Sequence, residues 1–253
     1  MSGAEFAGER VLVTGAAGGI GRAVVAALRA AGARIVATDL AFADTPDSDD
    51  VRYEILDVAD AAAVEALVAR IEEEDGPIHM AASIAGVLVT GLIAETDDAA
   101  WHHAFSVNTH GVFHLGRALA RRMTPRRKGS IVVVSSNAAG VPRHGMAAYA
   151  ASKAATTMFT RCLGLELAPH GVRCNIVAPG STLTAMQTGM WADADGAARV
   201  IAGDLGSFKA GIPLGKLATP QEVTEAVLFL LSERASHITM ADLYVDGGAT
   251  LRG

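Results

Sequence analysis

Residues Thr14–Gly21 read TGAAGGIG, and they lie between the β-branched run Val11–Val13 and a helix-forming stretch that begins at Ile20. Glycines between a strand and a helix allow the backbone to approach a pyrophosphate, and the helix N-terminus offers free N–H groups and positive dipole charge. A glycine pattern alone is weak evidence, but this order of strand, loop and helix predicts a dinucleotide-binding unit. The residues expected at the pyrophosphate are Gly15, Gly19, Ile20 and Gly21.

Strand and helix patterns alternate along the rest of the chain. The predicted strands are Val11–Val13, Arg34–Thr38, Tyr53–Leu56, Ile78–Ser83, Ile131–Ser135, Arg173–Ala178 and Leu243–Val245. The predicted helices are Ile20–Ala31, Ala61–Glu74, Asp98–Met123, Met146–Leu167 and Pro220–Leu231. Such alternation forms parallel strands through right-handed crossovers. The pattern therefore predicts an α/β protein with a single Rossmann-type, doubly wound parallel sheet of about seven strands, helices on both faces, and one domain over residues 1–253.

Two segments are predicted to lie outside this framework. Asp44–Asp50 is acidic and contains a proline, so we expect a surface loop after the second strand. Residues 181–211 are weakly periodic and contain several glycines. Loops of that length inside a compact domain are usually functional. We therefore expect a mobile lid over a substrate pocket.

Composition excludes several classes of function. The net charge of −6 disfavours nucleic-acid binding, which needs clustered Lys and Arg. The two cysteines, Cys162 and Cys174, lack metal-ligand spacing and are expected to be reduced and mostly buried. The apolar runs are too short for a membrane span, and the N-terminal residues do not follow a signal-peptide pattern. We therefore expect a cytoplasmic protein with no membrane partner.

Asp39 ends the second predicted strand, close to the glycine loop. A carboxylate at that position can accept hydrogen bonds from the two ribose hydroxyls of adenosine, and it repels a 2′-phosphate. No arginine stands at residues 16–18 or 40–43 to offset that repulsion. The sequence therefore predicts NAD, and not NADP, as the cofactor.

Several motifs together resemble the short-chain dehydrogenase/reductase family over the whole chain. They are the TGAAGGIG loop, Asp57–Val58, Asn108 in SVNTHG, Ser136 with Tyr149 and Lys153, Pro179–Gly180 and Asp246–Gly248. The resemblance implies an oxidoreductase whose catalytic residues are Ser136, Tyr149, Lys153 and Asn108. It also implies a homotetramer packed through two long helices. The further cofactor contacts that it implies are Leu40, Asp57, Val58, Ala85, Gly86, Tyr149, Lys153, Pro179, Gly180 and Thr182.

One position departs from the family pattern. The family usually carries an asparagine where this chain has Ser83, in the stretch Ser83–Gly86. Serine forms fewer hydrogen bonds than asparagine. We expect local loosening there without loss of cofactor binding.

The pair Tyr149 and Lys153 stands at i and i+4, so the two side chains share one helix face. A free tyrosine has a pKa of about 10, and a nearby ammonium is expected to lower that pKa. This predicts Tyr149 as the general base that removes an alcohol proton. Ser136 is expected to hydrogen-bond the reacting oxygen. By family analogy, Lys153 also binds the nicotinamide ribose and Asn108 completes a water-linked proton path.

Four longer stretches narrow the resemblance. PRHGMAAYAASKAA, GVRCNIVAPGSTLTAMQTGMW, FKAGIPLGKLATPQE and SHITMADLYVDGGATL resemble the 2,3-dihydro-2,3-dihydroxybenzoate dehydrogenases of catechol siderophore biosynthesis. The resemblance implies NAD-dependent oxidation of a carboxylated cyclic diol. Two alternatives stay open: a short-chain enzyme acting on another cyclic alcohol or a 3-oxoacyl substrate, and a non-catalytic NAD-sensing protein.

A carboxylated substrate requires a cation or several hydrogen-bond donors in its pocket. Arg143 is the candidate, because a guanidinium can hold a carboxylate through two parallel bonds. His144 is a weaker candidate, and Met146 is expected to contact the substrate ring. Met186, Met190 and Trp191 could complete an apolar wall. No metal site is expected, and the helix histidines are read as surface or interface residues: His102, His103, His110 and His114.

Overall fold

The computed structural model describes residues 5–43 and 48–251. Its strands are β1 (Arg10–Thr14), β2 (Arg34–Asp39), β3 (Val51–Ile55), β4 (Met80–Ser83), β5 (Gly129–Val134), β6 (Val172–Pro179), β7 (Gly203–Asp204), β8 (Lys209–Ala210) and β9 (Asp242–Val245). Seven of them form a sheet in the order β3-β2-β1-β4-β5-β6-β9, and every pairing in it is parallel. The other two, β7 and β8, form a small antiparallel ribbon.

Eight α-helices accompany the strands in the described ranges. They are α1 (Gly19–Ala30), α2 (Ala61–Glu74), α3 (Asp98–Phe105), α4 (Gly111–Arg126), α5 (Ala147–Leu167), α6 (Ala185–Thr188), α7 (Gly196–Ala202) and α8 (Pro220–Leu231). A π-helical turn, Ser106–His110, joins α3 to α4. Short 3₁₀ turns occupy Ile93–Glu95, Asn137–Ala139, Ala168–His170 and Glu233–Ala235.

The sheet is buried on both faces. Val11 and Val13 of β1 pack in the layer that contains α1 and α8, whereas Leu12 packs in the layer that contains α2, α4 and α5. Alternate residues of a strand point to opposite faces, so a strand covered on both sides needs a continuous apolar run and not an alternating one. This explains runs such as Ile131–Val134, all of which are buried.

The strand order reverses at β1, which pairs with β2 on one side and with β4 on the other. In open α/β sheets, ligands bind at the carboxyl ends of the strands at such a switch point. The loop after β1 is the TGAAGGIG segment, and the loop after β4 begins at Ile84. The topology therefore brings both loops to one edge of the sheet.

The predicted fold is confirmed, since all seven predicted strands are present in one doubly wound sheet. The prediction of one helix over Asp98–Met123 was wrong in detail. The π-helical turn separates α3 from α4, and α4 continues to Arg126. Thr156 of α5 donates to the Asn108 carbonyl, 2.6 Å away, so a neighbouring helix holds the backbone of this turn.

The segment 181–211 has more regular structure than a plain loop. It contains α6, α7, β7 and β8. The ribbon pairs Gly203 with Ala210 and Asp204 with Lys209. This pairing places Lys209 directly opposite Asp204. Whether the segment moves as a lid stays a prediction.

Three smaller expectations concern burial and membrane association. Cys174 is buried, and burial raises its pKa to about 12, but Cys162 on α5 is exposed, so the expectation that both thiols are mostly buried was wrong for Cys162. Both are free. Part of the predicted loop Asp44–Asp50, residues 44–47, lies outside the described residues. Within the described ranges no helix has the length and apolar character to cross a membrane.

Candidate active site

A cavity of about 280 Å³ opens at the carboxyl end of the sheet. Its floor includes Ser136 after β5 and Gly180 after β6, and its wall includes Tyr149 of α5. Residues of the 181–211 segment, Thr184 and Met186 among them, cover it from the other side. The topology therefore builds one pocket from the ends of two strands, the start of one helix and the candidate lid.

The glycine loop fits a dinucleotide. Gly15 has a φ of +71°, and a Cβ there would lie 2.5 Å from the Ala85 amide nitrogen. A Cβ at Gly21 would overlap the Gly15 carbonyl, and one at Gly19 would lie 2.7 Å from the Thr184 methyl group. Side chains at these positions would fill the cradle between the first helix, the loop after β4 and the candidate lid. The structure thus explains why each position is a glycine.

Asp39 holds the loop from the second strand. Its carboxylate accepts from the Ala17 amide at 2.9 Å and from the Leu40 amide at 2.8 Å. Sequence reasoning missed Arg22, whose Nε donates to the Ala17 carbonyl at 2.7 Å. A guanidinium therefore contacts the same loop residue that Asp39 binds, although residues 16–18 and 40–43 contain no arginine.

The other predicted cofactor residues lie around this loop and the cavity. The Thr14 hydroxyl accepts from the Ile84 and Ala85 amides, so the loop that holds Ala85 and Gly86 is tied to β1. The Asp57 carboxylate accepts from the Ala59 amide, and Val58 is buried. Ile20, Gly86, Pro179, Gly180 and Thr182 all line the cavity.

Ser136, Tyr149 and Lys153 converge in the cavity. Burial raises the pKa of Tyr149, and a hydrogen bond from Ser136 opposes that rise. The Lys153 ammonium is buried, donates to the Val134 carbonyl at 3.0 Å, and lies 6.0 Å from the centre of the Tyr149 ring. Burial lowers the pKa of Lys153 to about 8.

The charge of Lys153 is therefore not the main influence on the pKa of Tyr149 in this structure. The sequence predicted a lowered pKa for the phenol, and the structure raises it. The reason is physical: Tyr149 loses its solvation, while the Lys153 ammonium points to a backbone carbonyl. A lowered phenol pKa requires a further positive charge or a reoriented Lys153.

Asn108 is fully buried in the π-helical turn. Its side-chain nitrogen donates to the Val87 carbonyl at 2.9 Å and to the Ser152 hydroxyl at 3.0 Å. Its side-chain oxygen accepts from the Val87 amide at 2.8 Å. A Cβ at Gly86 would lie 3.1 Å from that oxygen and 3.2 Å from the Lys153 ammonium. Asn108 therefore positions the loop behind Lys153.

Ser83 does not interrupt the sheet. It is buried and occupies regular parallel register with Thr14 on one side and Val133 on the other. The expected loosening is not visible in the strand pairing, and its effect on stability stays a prediction.

Arg143 lies in the cavity wall, half-buried, between Ser136 and Tyr149 in sequence. Burial lowers its pKa, and the charge of Asp246 raises it. Sequence reasoning missed a second cation, Lys209 of β8, which also lines the cavity. Burial lowers the pKa of Lys209, the positive charge of Arg143 lowers it further, and Asp204 opposes both effects. The two cations are therefore close enough to repel each other.

The apolar wall is partly as predicted. Met146, Met186 and Met190 line the cavity, and His144 lies exposed at its edge. Trp191 is not among the lining residues, because its side chain packs against Gly196 at the start of α7. Within the described ranges no three His, Cys, Asp or Glu residues lie together as metal ligands.

Comparisons with known proteins agree with this geometry. A family model described as Enoyl-(Acyl carrier protein) reductase matches residues 15–250. A 2,3-dihydro-2,3-dihydroxybenzoate dehydrogenase of Bacillus subtilis (strain 168) is 52% identical and aligns over 96% of this chain and 97% of its own length. A vibriobactin-specific enzyme of the same name from Vibrio cholerae serotype O1 is 43% identical over 96% of each chain. The solved structure of levodione reductase superposes with a TM-score of 0.88 at 25% identity, covering 98% of this chain and 100% of its own.

Proposed function

The chain belongs to the short-chain dehydrogenase/reductase family of oxidoreductases, and from this premise we propose that it oxidises 2,3-dihydro-2,3-dihydroxybenzoate to 2,3-dihydroxybenzoate with NAD, for catechol siderophore biosynthesis. The observation that carries the proposal is the cavity that holds Ser136 and Tyr149 together with the half-buried cation Arg143. Ser136 and Tyr149 suit an alcohol oxygen, and Arg143 suits a carboxylate on the same ring. The printed names of the relatives support this substrate.

The proton is handled by this chain's own residues. Ser136 would donate a hydrogen bond to the reacting oxygen and hold it against the phenol of Tyr149. Tyr149 would accept the hydroxyl proton as general base. Lys153 would supply positive charge behind the phenol, and Asn108 would hold the loop of Gly86 and Val87 that bounds this path.

When bound, NAD would supply the hydride acceptor for the reaction. It would be held by the glycine loop, by Asp39 at the adenosine ribose and by residues at the ends of β4 and β6. A positive charge on the nicotinamide would favour the deprotonated form of Tyr149, which the residue needs in order to act as a base near neutral pH. The cyclic ketone formed from a dihydrodiol tautomerises to an aromatic catechol, and this aromatisation makes the oxidation favourable.

The test is NADH formation by the purified protein with the carboxylated dihydrodiol. Tyr149→Phe removes the proton acceptor and retains the ring, so we expect a loss of about 100- to 10,000-fold in turnover. Tyr53→Phe is the matched control, because Tyr53 lies on β3 and its ring packs on Phe42, outside the cavity. We expect that control to retain wild-type activity.

Each outcome discriminates between functions. Activity that survives Tyr149→Phe contradicts the proposed base. Turnover of 3-oxoacyl thioesters with a reduced cofactor, and not of the dihydrodiol, indicates an acyl reductase. Tight NAD binding with no turnover of any alcohol in a panel of cyclic diols indicates a non-catalytic NAD-sensing protein.

The cofactor preference is tested with the wild-type protein alone. The Asp39 carboxylate disfavours a 2′-phosphate, whereas Arg22 contacts the adjacent loop. We propose that the carboxylate dominates because Asp39 ends β2, where an acidic residue of this fold binds the adenosine ribose. Equal or better turnover with NADP at equal concentration contradicts NAD as the cofactor.

We also propose a homotetramer packed through the two long helices. The support is a group of large apolar side chains left exposed on α4 and α5, namely Phe113, Met158 and Leu165. Exposed apolar patches of this kind mark protein–protein contacts.

A further inference from the structure

The cavity contains two cations that come from different parts of the chain. Arg143 belongs to the loop that precedes α5, and Lys209 belongs to β8 in the segment that covers the cavity. Both side chains are partly buried and both line the cavity. Within the described ranges, neither side chain forms a hydrogen bond or an ion pair.

Two carboxylates, Asp204 and Asp246, act on these cations by their charge, and both accept hydrogen bonds from other residues. The Asp204 carboxylate accepts from the amides of Gly206 and Ser207 and so shapes the turn of the ribbon. The Asp246 carboxylate accepts from the Asn137 side chain and from the Thr250 amide and hydroxyl. Both acids act on the cations only at a distance.

Two like charges in one partly desolvated cavity repel each other, and an anion between them removes that repulsion. A guanidinium and an ammonium can bind one carboxylate together, the first through two parallel bonds and the second as a point charge. The arrangement therefore suits a small carboxylated ring better than a phosphate ester of a long chain, since the cavity measures about 280 Å³ and Met146 and Met190 add apolar surface to its lining.

We propose that Lys209 binds the substrate carboxylate jointly with Arg143 and is a specificity-determining residue of the candidate lid. The inference rests on the proposed function, because the carboxylate is that of the dihydrodiol. The proposal also links binding of the substrate carboxylate to closure of the candidate lid. The same anion contacts the fixed wall through Arg143 and the covering ribbon through Lys209, so a carboxylated ring holds the ribbon over the cavity and a neutral ring does not.

The test compares two substrates on two variants. Lys209→Met retains the length of the side chain and removes its charge. We expect the KM for the carboxylated dihydrodiol to rise about 10- to 100-fold, with kcat changed far less. The KM for the cyclohexadiene diol that lacks the carboxylate should stay within about twofold of wild type. Lys209→Arg retains the charge and should recover most of the lost affinity.

Lys216→Met is the matched control. Lys216 lies in the loop before α8, pairs with Glu222 and is not part of the cavity lining. We expect it to leave both KM values unchanged. If Lys209→Met changes the KM of both diols equally, Lys209 packs against the ring and does not bind the carboxylate, and the inference fails.

Binding measurements separate this inference from the proposed function. The probes are 2,3-dihydroxybenzoate and catechol, titrated into the protein with NAD present, which requires no turnover. Preferential binding of the benzoate that disappears in Lys209→Met supports the carboxylate site even if the dihydrodiol is not oxidised. Oxidation of the dihydrodiol with an unchanged preference in Lys209→Met overturns the inference and leaves the proposed function standing.

Discussion

The buried ammonium of Lys153 has a cost to stability. The ammonium is buried and has one hydrogen bond to a backbone carbonyl, that of Val134. Burial lowers its pKa from 10.5 to about 8. A lowered pKa means that the folded protein holds the charged form less favourably than the unfolded chain does. The positive charge that we propose assists Tyr149 therefore destabilises the fold at neutral pH.

We predict that Lys153→Met abolishes activity and stabilises the cofactor-free protein by about 1–2 kcal/mol at pH 7. The pKa difference alone gives about 3 kcal/mol, and the lost bond to the Val134 carbonyl offsets part of it. Between pH 8 and 10.5 the unfolded chain binds a proton at Lys153 that the folded protein does not bind. Wild-type stability should therefore rise with pH across that window relative to the variant.

Urea unfolding at pH 7, 8 and 9.5 measures this difference. Lys128→Met serves as the control, because Lys128 is exposed and pairs with Glu9. The free energy of unfolding of Lys128→Met should equal that of the wild type at every pH. A Lys153→Met protein that is less stable than wild type at pH 7 would show that the ammonium contributes more through its contacts than it costs through burial.

At the scale of single elements, the glycine loop depends on two separate constraints. Gly15 has a positive φ, and its position also leaves no space for a Cβ beside Ala85. Gly8 has a similar φ of +79° but nothing within 4 Å of its Cβ position. Substituting each residue by alanine therefore distinguishes the cost of backbone strain from the cost of steric overlap.

We predict that Gly15→Ala destabilises the protein by more than Gly8→Ala, which should cost about 1 kcal/mol. Gly15→Ala should also weaken NAD binding at least tenfold, because the glycine loop and the start of the loop after β4 must move apart to admit the methyl group. Thermal unfolding and NAD titration of both variants provide the measurement. Equal loss of stability in the two variants, with NAD binding intact, contradicts a tight contact at Ala85.

The same scale shows what the sequence could predict. Strands and long helices follow from local patterns, so all seven sheet strands and the bounds of α2 and α8 agree with expectation. The π-helical turn does not follow from a local pattern, because its backbone is held by tertiary bonds. Thr109 donates to the Ser152 carbonyl, and Thr156 donates to the Asn108 carbonyl. Such contacts become visible only once two helices are placed together.

The candidate site also combines residues that the sequence predicts with residues that only the tertiary structure reveals. Ser136, Tyr149 and Lys153 carry a recognisable spacing, and the structure places them in one cavity. Lys209 carries no such spacing. Its place in the cavity lining depends on where the β7–β8 ribbon lies in the fold, which a segment of weak periodicity does not specify. Arg22 lies outside residues 16–18 and 40–43, where a cation for a 2′-phosphate is expected, and its long side chain reaches the loop from α1.

At the scale of the whole molecule, the proposed homotetramer rests on exposed apolar side chains of the long helices. Met158 and Leu165 are 55% and 65% exposed and stand at i and i+7 on α5, so they share one face. Phe113 of α4 packs edge-on against Phe159 of the same helix pair. Exposed apolar side chains therefore occur on both α4 and α5, and closed symmetric assemblies can bury such side chains against their own copies.

We predict that the protein has a native mass of four times the 26.0 kDa chain and that Met158→Glu lowers it. A carboxylate on that surface would be desolvated against its symmetry-related copy, which costs several kcal/mol for an unpaired charge. Light scattering coupled to size-exclusion chromatography measures the mass. Leu205→Glu is the control, because Leu205 is 95% exposed on the β7–β8 connection, away from the long helices. A tetramer that persists in Met158→Glu but dissociates in Leu205→Glu would move the interface from the long helices to the segment that covers the cavity, and it would make lid closure a property of the assembly.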